Sequence, residues 1–243
     1  SGLKFRILLD FLHVGAHVLL TDVDVVFIES PLPYLHRDAD FEGMVDGWED
    51  RTAFGHQMTA LDATRAGGGG GAAAASAAAW DPASAVVSPR TMRVSHFNSG
   101  FFFVQATVEA RALLARVAAR MDVEAVWDQT AYNEELFLPS RDGLVRAGAL
   151  VRGVSYLCVV HSKMVFHALR NHSRLNPSVH RPFACHVSWH PEKFSRMQHV
   201  ISAYHHGDPR GLRSWPVPYE GLTDLVTDIE PRENISGARD SIV

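Results

Sequence analysis

Two carboxylates, Asp22 and Asp24, interrupt the apolar run VLLTDVDVVFI of residues 18–28. Residues 18–20 are typical of a buried strand in a parallel sheet, and open α/β sheets bind their ligands where such strands end. Alternation along a strand places both carboxylates on one face. At about 4 Å separation and an effective dielectric of about 20, they repel by roughly 4 kcal/mol. A divalent cation, a proton or a neighbouring base must offset that repulsion, unless the step is a solvated turn.

A second group of polar residues, Asn98, Ser99 and Gly100, precedes the apolar run of residues 101–104. Asn and Ser side chains offer donors and acceptors for sugar hydroxyls. Glycine has no Cβ, so it lets the backbone approach a ligand closely. An Asx-type turn without a ligand is the alternative interpretation, and the residues alone leave both open.

Asp128 and Gln129 stand at the start of a helix predicted over residues 127–137. In one interpretation Asp128 merely caps this helix. In the other, both side chains face a pocket and stabilise the positive charge that develops on a sugar ring during transfer.

The segment HVSWHPEK, residues 186–193, places two histidines and a lysine after a short predicted strand. His186 ends that strand, and a neutral imidazole is a reasonable third ligand for a borderline cation such as Mn²⁺. Lys193 lies early in the next predicted helix and could reach a phosphate together with the positive end of that helix. The alternative is that His186 is a core histidine whose ring is hydrogen-bonded within the protein and binds no ligand.

Helices and strands alternate along the chain and must position these groups. Apolar spacing predicts helices at 3–13, 107–121, 127–137 and 191–204, with a further helical segment at 162–170. Apolar runs predict strands at 18–20, 41–45, 101–104, 145–150, 156–160 and 183–188. This alternation predicts an α/β/α layered domain.

Composition limits the classes of protein that the chain can represent. The 243 residues, 47% hydrophobic and 21% charged, suit one domain with a sizeable core. A net charge of −4 argues against a nucleic-acid partner, and two cysteines, Cys158 and Cys185, allow at most one disulfide bond. We assign residues 1–214 to one domain and 215–243 to a C-terminal tail. A Gly/Ala-rich stretch at about 64–80 is predicted to be a disordered insertion.

An Asp-x-Asp step after an apolar strand permits more than one reaction. A hard cation such as Mg²⁺ or Mn²⁺ takes oxygen ligands and bridges carboxylates to phosphates, including those of a nucleotide sugar. The step also fits a haloacid-dehalogenase-type phosphatase with Asp22 as its nucleophile. A lectin-like or inactive domain is the non-enzymatic alternative.

Six segments match one known family in order: VLLTDVDVVFIESPLPYLHRDAD, MVDGWEDRTAFG, TMRVSHFNSGFFFVQAT, WDQTAYNEELFLPS, SKMVFHALR and HVSWHPEKFSRM. With them the chain resembles glycosyltransferase family 77, the nucleotide-diphospho-sugar transferases of plants and green algae, and within it the reduced-residual-arabinose group of extensin arabinosyltransferases. The resemblance implies a GT-A-like α/β/α sandwich with a mostly parallel central sheet. It also implies that the uridine-binding N-terminal strand precedes this chain and is missing from it.

The resemblance further implies a reaction and a location. The reaction is transfer of L-arabinofuranose from UDP-β-L-arabinofuranose, dependent on Mn²⁺ (or Mg²⁺) and with retention, onto arabinosides of hydroxyproline-rich cell-wall glycoproteins. A sister xylosyl or galactosyl transferase would keep every motif and stays open. The expected location is the lumenal side of the Golgi apparatus, behind a single N-terminal membrane anchor outside this chain.

Specific roles are implied for residues that match the family's motifs. The implied metal ligands are Asp22, Asp24 and His186, with His190 as a second choice. Substrate binding is implied for Asn98, Ser99, Gly100, Lys193 and Asp22, and catalysis for Asp128 and Gln129.

Overall fold

The computed structural model describes residues 2–48, 52–53, 56–61, 89–137, 148–172 and 176–216. The predicted Gly/Ala-rich insertion lies outside these residues, as does nearly all of the predicted tail. The division of the chain into a domain, an insertion and a tail therefore stays a prediction.

The elements whose bounds the structure describes include five α-helices and nine strands, with a 3₁₀ turn at Leu32–Tyr34. The helices are α1 (Leu3–His13), α2 (Val108–Val123), α3 (Asp128–Phe137), α4 (Lys193–His205) and α5 (Arg210–Arg213). The strands are β1 (Val18–Thr21), β2 (Val25–Phe27), β3 (Phe41–Val45), β4 (His56–Leu61), β5 (Pro89–Val94), β6 (Phe97–Val104), β7 (Val151–Val154), β8 (Val159–His161) and β9 (Ala184–His186). They build a four-stranded sheet in the order β1-β6-β3-β7, a three-stranded sheet in the order β2-β9-β8, and a β4-β5 pair.

The predicted α/β class is confirmed, but the central sheet is mixed and not mostly parallel as expected. β6 runs antiparallel to both of its neighbours, β1 and β3, whereas β3 and β7 pair in parallel. All eight residues of β6 are buried, and its apolar run, residues 101–104, would read the same whichever way the strand points. The residue pattern therefore could not reveal its direction. β1 is a half-buried edge strand and not the fully buried parallel strand that we predicted.

Side chains alternate along β6 and join two different layers. Phe102 stacks on Tyr132 of α3 with ring centroids 5.4 Å apart, on the face that also carries α1 and α2. Phe101 points to the opposite face, where its ring centroid lies 5.9 Å from that of Phe183 and 6.2 Å from that of Phe27. This second face packs on the three-stranded sheet, against which α4 packs through β2. The order of layers is therefore helices, sheet, sheet, helix.

The long helices begin close to where the sequence predicts. α1 has the predicted bounds. α2 starts after Thr107, whose hydroxyl accepts a hydrogen bond from the Ala110 N–H at 3.1 Å, so the predicted cap is confirmed. The segment 162–170 is helical but irregular, with a π-helical turn at Met164–Ala168 and a 3₁₀ turn at Leu169–Asn171.

Three short strands differ from their predicted positions. Of the predicted strand 145–150, the structure describes residues 148–150, and none of these lies in a strand. β7 begins at Val151 instead. β8 starts three residues after the predicted 156, and β9 covers the middle of the predicted 183–188. Short apolar runs do not specify where pairing begins, because the neighbouring strand decides that.

Two further observations concern the cysteines and the hydropathy of the helices. Cys158 and Cys185 are both buried and free, so the one possible bridge is not formed. Burial raises the pKa of both thiols. Among the helices that the structure describes, none has the length and hydropathy needed to cross a membrane.

Candidate active site

The chain passes from one sheet to the other at Asp22 and Asp24. The Asp22 backbone N–H donates to the Gly100 carbonyl at 2.8 Å, which holds it to β6 of the four-stranded sheet. The Asp24 carbonyl accepts from the Val187 N–H at 2.9 Å, directly after β9 of the three-stranded sheet. Val23 between them lies in a turn and is 98% exposed. The two carboxylates therefore converge at the junction of the sheets, and not along one strand as alternation suggested.

His186 joins the two carboxylates at the end of β9. Its Nε2 lies 3.1 Å from Asp24 Oδ1 and 4.0 Å from Asp22 Oδ2. Ligand atoms of the three residues lie within 4.8 Å of one another. Within the described ranges, this is the one group of three or more such side chains that is close enough to hold a metal ion. The structure thus brings the predicted metal ligands together.

Asp24 is the buried member of this group, and two partners compensate its charge. It is 6% exposed, with Oδ1 facing His186 and Oδ2 accepting from Lys193 Nζ at 2.6 Å. Burial alone would raise the pKa of Asp24, but the hydrogen bonds and charges of His186 and Lys193 outweigh it and hold that pKa well below its usual range. Asp24 is therefore an ionised carboxylate at neutral pH. The side chain of Asp22 is the exposed member, at 44%.

This set of donor atoms fits a hard or borderline divalent cation. Mg²⁺ and Mn²⁺ take carboxylate oxygens, and imidazole suits the softer of the two. Asp22, Asp24 and His186 would together supply two carboxylates and one imidazole to such an ion.

Gly100 packs against two of the three candidate metal ligands. A Cβ at this position would lie 2.5 Å from Cε1 of His186 and 2.7 Å from Oδ2 of Asp22, well inside van der Waals contact. The backbone at this glycine lies close to the side chains of the site, and its close approach to a ligand stays a prediction. Any larger residue would push on the ligands.

Asn98 uses both ends of its amide inside the protein. It is 2% exposed, its Oδ1 accepts from the Gly100 N–H at 2.8 Å, and its Nδ2 donates to Asp46 Oδ1 at 2.8 Å. The bond to Gly100 is the Asx-type turn that the sequence left as an alternative. Asn98 therefore shapes the backbone beside the metal ligands, and its contact with a sugar stays a prediction.

Asp46 is a site residue that sequence reasoning missed. Its second oxygen accepts from Gln129 Nε2 at 2.7 Å, so one carboxylate holds the amides of both Gln129 and Asn98. Gln129 in turn accepts from the Ser99 N–H at 3.3 Å. A signal was present, because Asp46 directly follows β3 as Asp22 directly follows β1.

Lys4 of α1 is a second residue that was missed. Its ammonium forms a salt bridge with Asp128 and donates to the Ser99 carbonyl at 3.2 Å. Asp128 also accepts from the Gln129 N–H at 2.7 Å. Burial would raise the pKa of Asp128, but Lys4 outweighs it and lowers that pKa. Asp128 is therefore an ionised carboxylate with a fixed orientation. No signal in the sequence pointed to Lys4, because a lysine on an amphipathic helix is ordinarily a solvated surface residue.

Two further histidines near the site have other partners. The ring of His190, the second-choice ligand, packs against Phe166 with centroids 6.0 Å apart and is not part of the metal group. His161 accepts from the Met164 N–H at Nδ1 over 3.3 Å, so its Nε2 carries the proton and donates to the Gly47 carbonyl at 3.2 Å. Burial lowers the pKa of His161 and keeps the ring neutral. It anchors the backbone directly after Asp46.

The fold and the site together define an α/β protein with a two-carboxylate, one-imidazole cluster and a lysine where its sheets meet. Such a combination suits a phosphate-bearing substrate held through a divalent cation. The chain belongs to the nucleotide-diphospho-sugar transferase family, whose model matches residues 1–199.

Two curated relatives are proteins of Arabidopsis thaliana. The chain is 37% identical over 216 residues to Arabinosyltransferase RRA2, which is 89% of this chain and 46% of that protein. It is 34% identical over 212 residues to Arabinosyltransferase RRA1, which is 87% of this chain and 48% of that protein. The chain therefore spans about half the length of the curated relatives it matches. No solved structure matches it significantly.

Family membership confirms the resemblance seen in the motifs. It favours sugar transfer over the phosphatase alternative with Asp22 as nucleophile. The substrate-binding and catalytic roles assigned to individual residues, such as Ser99 and Gln129, stay predictions.

Proposed function

We propose that this chain carries the catalytic site of a metal-dependent glycosyltransferase that uses a UDP-sugar. The observation that carries the proposal is the cluster of Asp22, Asp24 and His186, with Lys193 beside it, in a member of the nucleotide-diphospho-sugar transferase family. We propose L-arabinofuranose as the transferred sugar and arabinosides of hydroxyproline-rich cell-wall glycoproteins as acceptors. The names of the two arabinosyltransferase relatives support that choice.

On the diphosphate side, Asp22, Asp24 and His186 would hold Mn²⁺ or Mg²⁺. When bound there, the cation supplies Lewis-acid stabilisation of the leaving diphosphate. Lys193 lies in the first turn of α4, with a side chain that is 49% exposed. Its ammonium and the positive end of that helix add charge that attracts phosphate oxygens.

On the sugar side, Asp128 provides a fixed negative charge for the oxocarbenium-like state of the transferred sugar. Both Lys4 and the Gln129 N–H engage its carboxylate, which favours electrostatic stabilisation over covalent attack. We therefore propose retention by front-face attack, in which the acceptor hydroxyl approaches on the side of the departing diphosphate. Asp46 holds the Gln129 side chain in place during this step.

The proposed location is the lumenal side of the Golgi apparatus. Support for it comes from the resemblance to the extensin arabinosyltransferase group alone. Microscopy of a fluorescent fusion of the complete protein with Golgi and endoplasmic-reticulum markers tests it, and a signal outside the Golgi would contradict it.

The test of the function is UDP release from UDP-arabinofuranose, UDP-xylose and UDP-galactose, with a hydroxyproline arabinoside as acceptor and with or without Mn²⁺. We expect transfer from the arabinofuranose donor that EDTA abolishes. Asp24→Ala removes the buried carboxylate ligand and should lower kcat by about 100-fold or more. Asp10→Ala, at an exposed position on α1, is the matched control and should leave kcat unchanged.

Each component of the proposal has its own contradicting result. Metal-independent transfer, or normal turnover by Asp24→Ala, would exclude the metal site. Preference for UDP-xylose or UDP-galactose would replace the donor and keep the mechanism. Inversion of the anomeric configuration in the product, read by proton NMR, would exclude front-face attack.

A further inference from the structure

Two large aromatic side chains are exposed beside the candidate active site. Trp127 is 73% exposed and Trp189 is 60% exposed. Their ring centroids lie 6.4 Å apart, with the ring planes at 46°. Trp127 directly precedes Asp128 at the start of α3, and Trp189 follows His186 by three residues. One ring therefore comes from the start of α3 and the other from the segment after β9, and the two lie next to each other.

The backbone at Trp189 adopts a strained conformation. Its φ of 70° lies in the left-handed region, which is costly for a residue with a bulky side chain and easy for glycine. The preceding residue is fixed, because the Ser188 carbonyl accepts from the Ser162 hydroxyl at 2.6 Å. Lys163 Nζ lies 5.3 Å from the centroid of the Trp189 ring, a cation–π distance. Strain of this kind clusters at active sites and ligand-binding sites.

We propose that Trp127 and Trp189 form an aromatic subsite that stacks against a ring of the acceptor glycan. Sugar rings carry a face of C–H groups that packs on an aromatic ring while their hydroxyls stay hydrated, and tryptophan offers a large rigid surface for this. This inference rests on the proposed function, because it takes the ligand at the site to be a sugar.

The position of the pair favours the acceptor over the nucleotide. The diphosphate is assigned to the cluster around Asp24 and to Lys193, and the transferred sugar to the side of Asp128. Trp127 is adjacent to Asp128 in the chain and Trp189 lies between His186 and Lys193, so the aromatic pair bridges the sugar side and the diphosphate side of the site. In front-face attack the acceptor hydroxyl approaches on the side of the departing diphosphate, so the acceptor must enter where these two sides meet.

The experiment removes each ring and compares acceptor and donor kinetics in the purified protein. Trp189→Gly removes the ring at a backbone angle that glycine tolerates, Trp189→Tyr keeps an aromatic ring, and Trp127→Ala removes the partner ring. We expect the KM for a hydroxyproline arabinoside to rise about 10-fold in Trp189→Gly and Trp127→Ala, while the KM for the donor stays unchanged. Trp189→Tyr should have an acceptor KM close to that of wild type. Phe11→Ala, which removes a 51% exposed ring from α1, is the matched control and should behave as wild type.

A binding measurement separates this subsite from the proposed function. Titration of wild type with the same arabinoside, followed by tryptophan fluorescence, should show binding that Trp189→Gly weakens by the same factor. If wild type binds the arabinoside in this ring-dependent way but transfers no sugar, the proposed function fails and the subsite stands. An unchanged acceptor KM would overturn the subsite. So would an equal rise in the donor KM or in the Kd for UDP, because the rings would then cover the nucleotide.

Discussion

Replacing Gly100 by alanine is the most direct test of the geometry of the metal site. The new methyl group would lie 2.5 Å from Cε1 of His186, 2.7 Å from Oδ2 of Asp22 and 3.0 Å from Oδ1 of Asn98. Carbon atoms in contact prefer about 3.5–4.0 Å, so the neighbours must retreat by about 1 Å. The backbone of Gly100 cannot move freely, because its carbonyl accepts from the Asp22 N–H in the sheet.

Two effects of Gly100→Ala follow from these distances. Overpacking of this size costs about 1–3 kcal/mol of unfolding free energy, or about 2–12 °C in Tm for a protein of this length. His186 is 4% exposed and has little room, whereas the Asp22 side chain is 44% exposed and can turn away. Asp22 would thereby leave the cluster, and Mn²⁺ affinity should fall by about 10- to 100-fold.

The assay is calorimetric titration with Mn²⁺, together with thermal unfolding with and without the ion. Gly43→Ala is the matched control, because its Cβ would lie 3.1 Å from that of Phe102, a tight contact in the same sheet away from the cluster. It should lower Tm without changing Mn²⁺ affinity. Gly148→Ala, with no atom within 4 Å of the new Cβ, should change neither quantity.

The reasoning is refuted if Gly100→Ala binds Mn²⁺ as tightly as wild type while the wild-type protein shows one site. It is also refuted if Gly43→Ala loses metal affinity to the same extent. In that case the loss would come from general destabilisation and not from contact with the ligands.

Two further predictions concern the residues that hold the sugar side of the site. Asp46→Ala removes the shared acceptor of the Asn98 and Gln129 amides and should lower kcat by about 10-fold or more, with little change in the Kd for UDP, as measured by steady-state kinetics and calorimetry. Lys4→Met leaves Asp128 without its cation and should raise the pKa of that carboxyl. Because the pKa of Asp128 is lowered in the folded wild type, the ion pair stabilises the fold above the ordinary value of 3.8, and its contribution is lost as pH falls below that value. The difference in unfolding free energy between wild type and Lys4→Met should therefore be present at pH 7 and shrink below pH 3.8 in denaturant titrations.

Conservative variants serve as controls for these two changes. Asp46→Asn keeps one acceptor oxygen, so its kcat should lie between those of wild type and Asp46→Ala. Equal kcat values for all three proteins would show that the shared carboxylate has no positioning role. Lys4→Arg keeps the cation and should retain the wild-type pH dependence. A stability difference between Lys4→Met and wild type that is independent of pH would contradict the ion-pair argument.

Much of this molecule is determined by local residue pattern. α1 has the bounds that its apolar spacing predicts, and Thr107 caps α2 because its hydroxyl lies within reach of the Ala110 N–H. The candidate metal ligands were also visible, since two carboxylates interrupt one apolar run and a histidine ends another. In all of these cases the signal lies within a few residues of the feature that it predicts.

The tertiary structure decided what connects these local features. The strand β6 runs against its neighbours, and its buried run of apolar residues is the same in both directions. Asp46 holds a side chain 83 positions away, Lys4 donates to a carbonyl 95 positions away, and His186 reaches Asp24 across 162 positions. Such contacts depend on the path of the whole chain, so no local pattern encodes them. The sequence by itself determined which groups could bind a metal and a diphosphate, and only the packing of the two sheets decided which carboxylates and cations hold those groups in place.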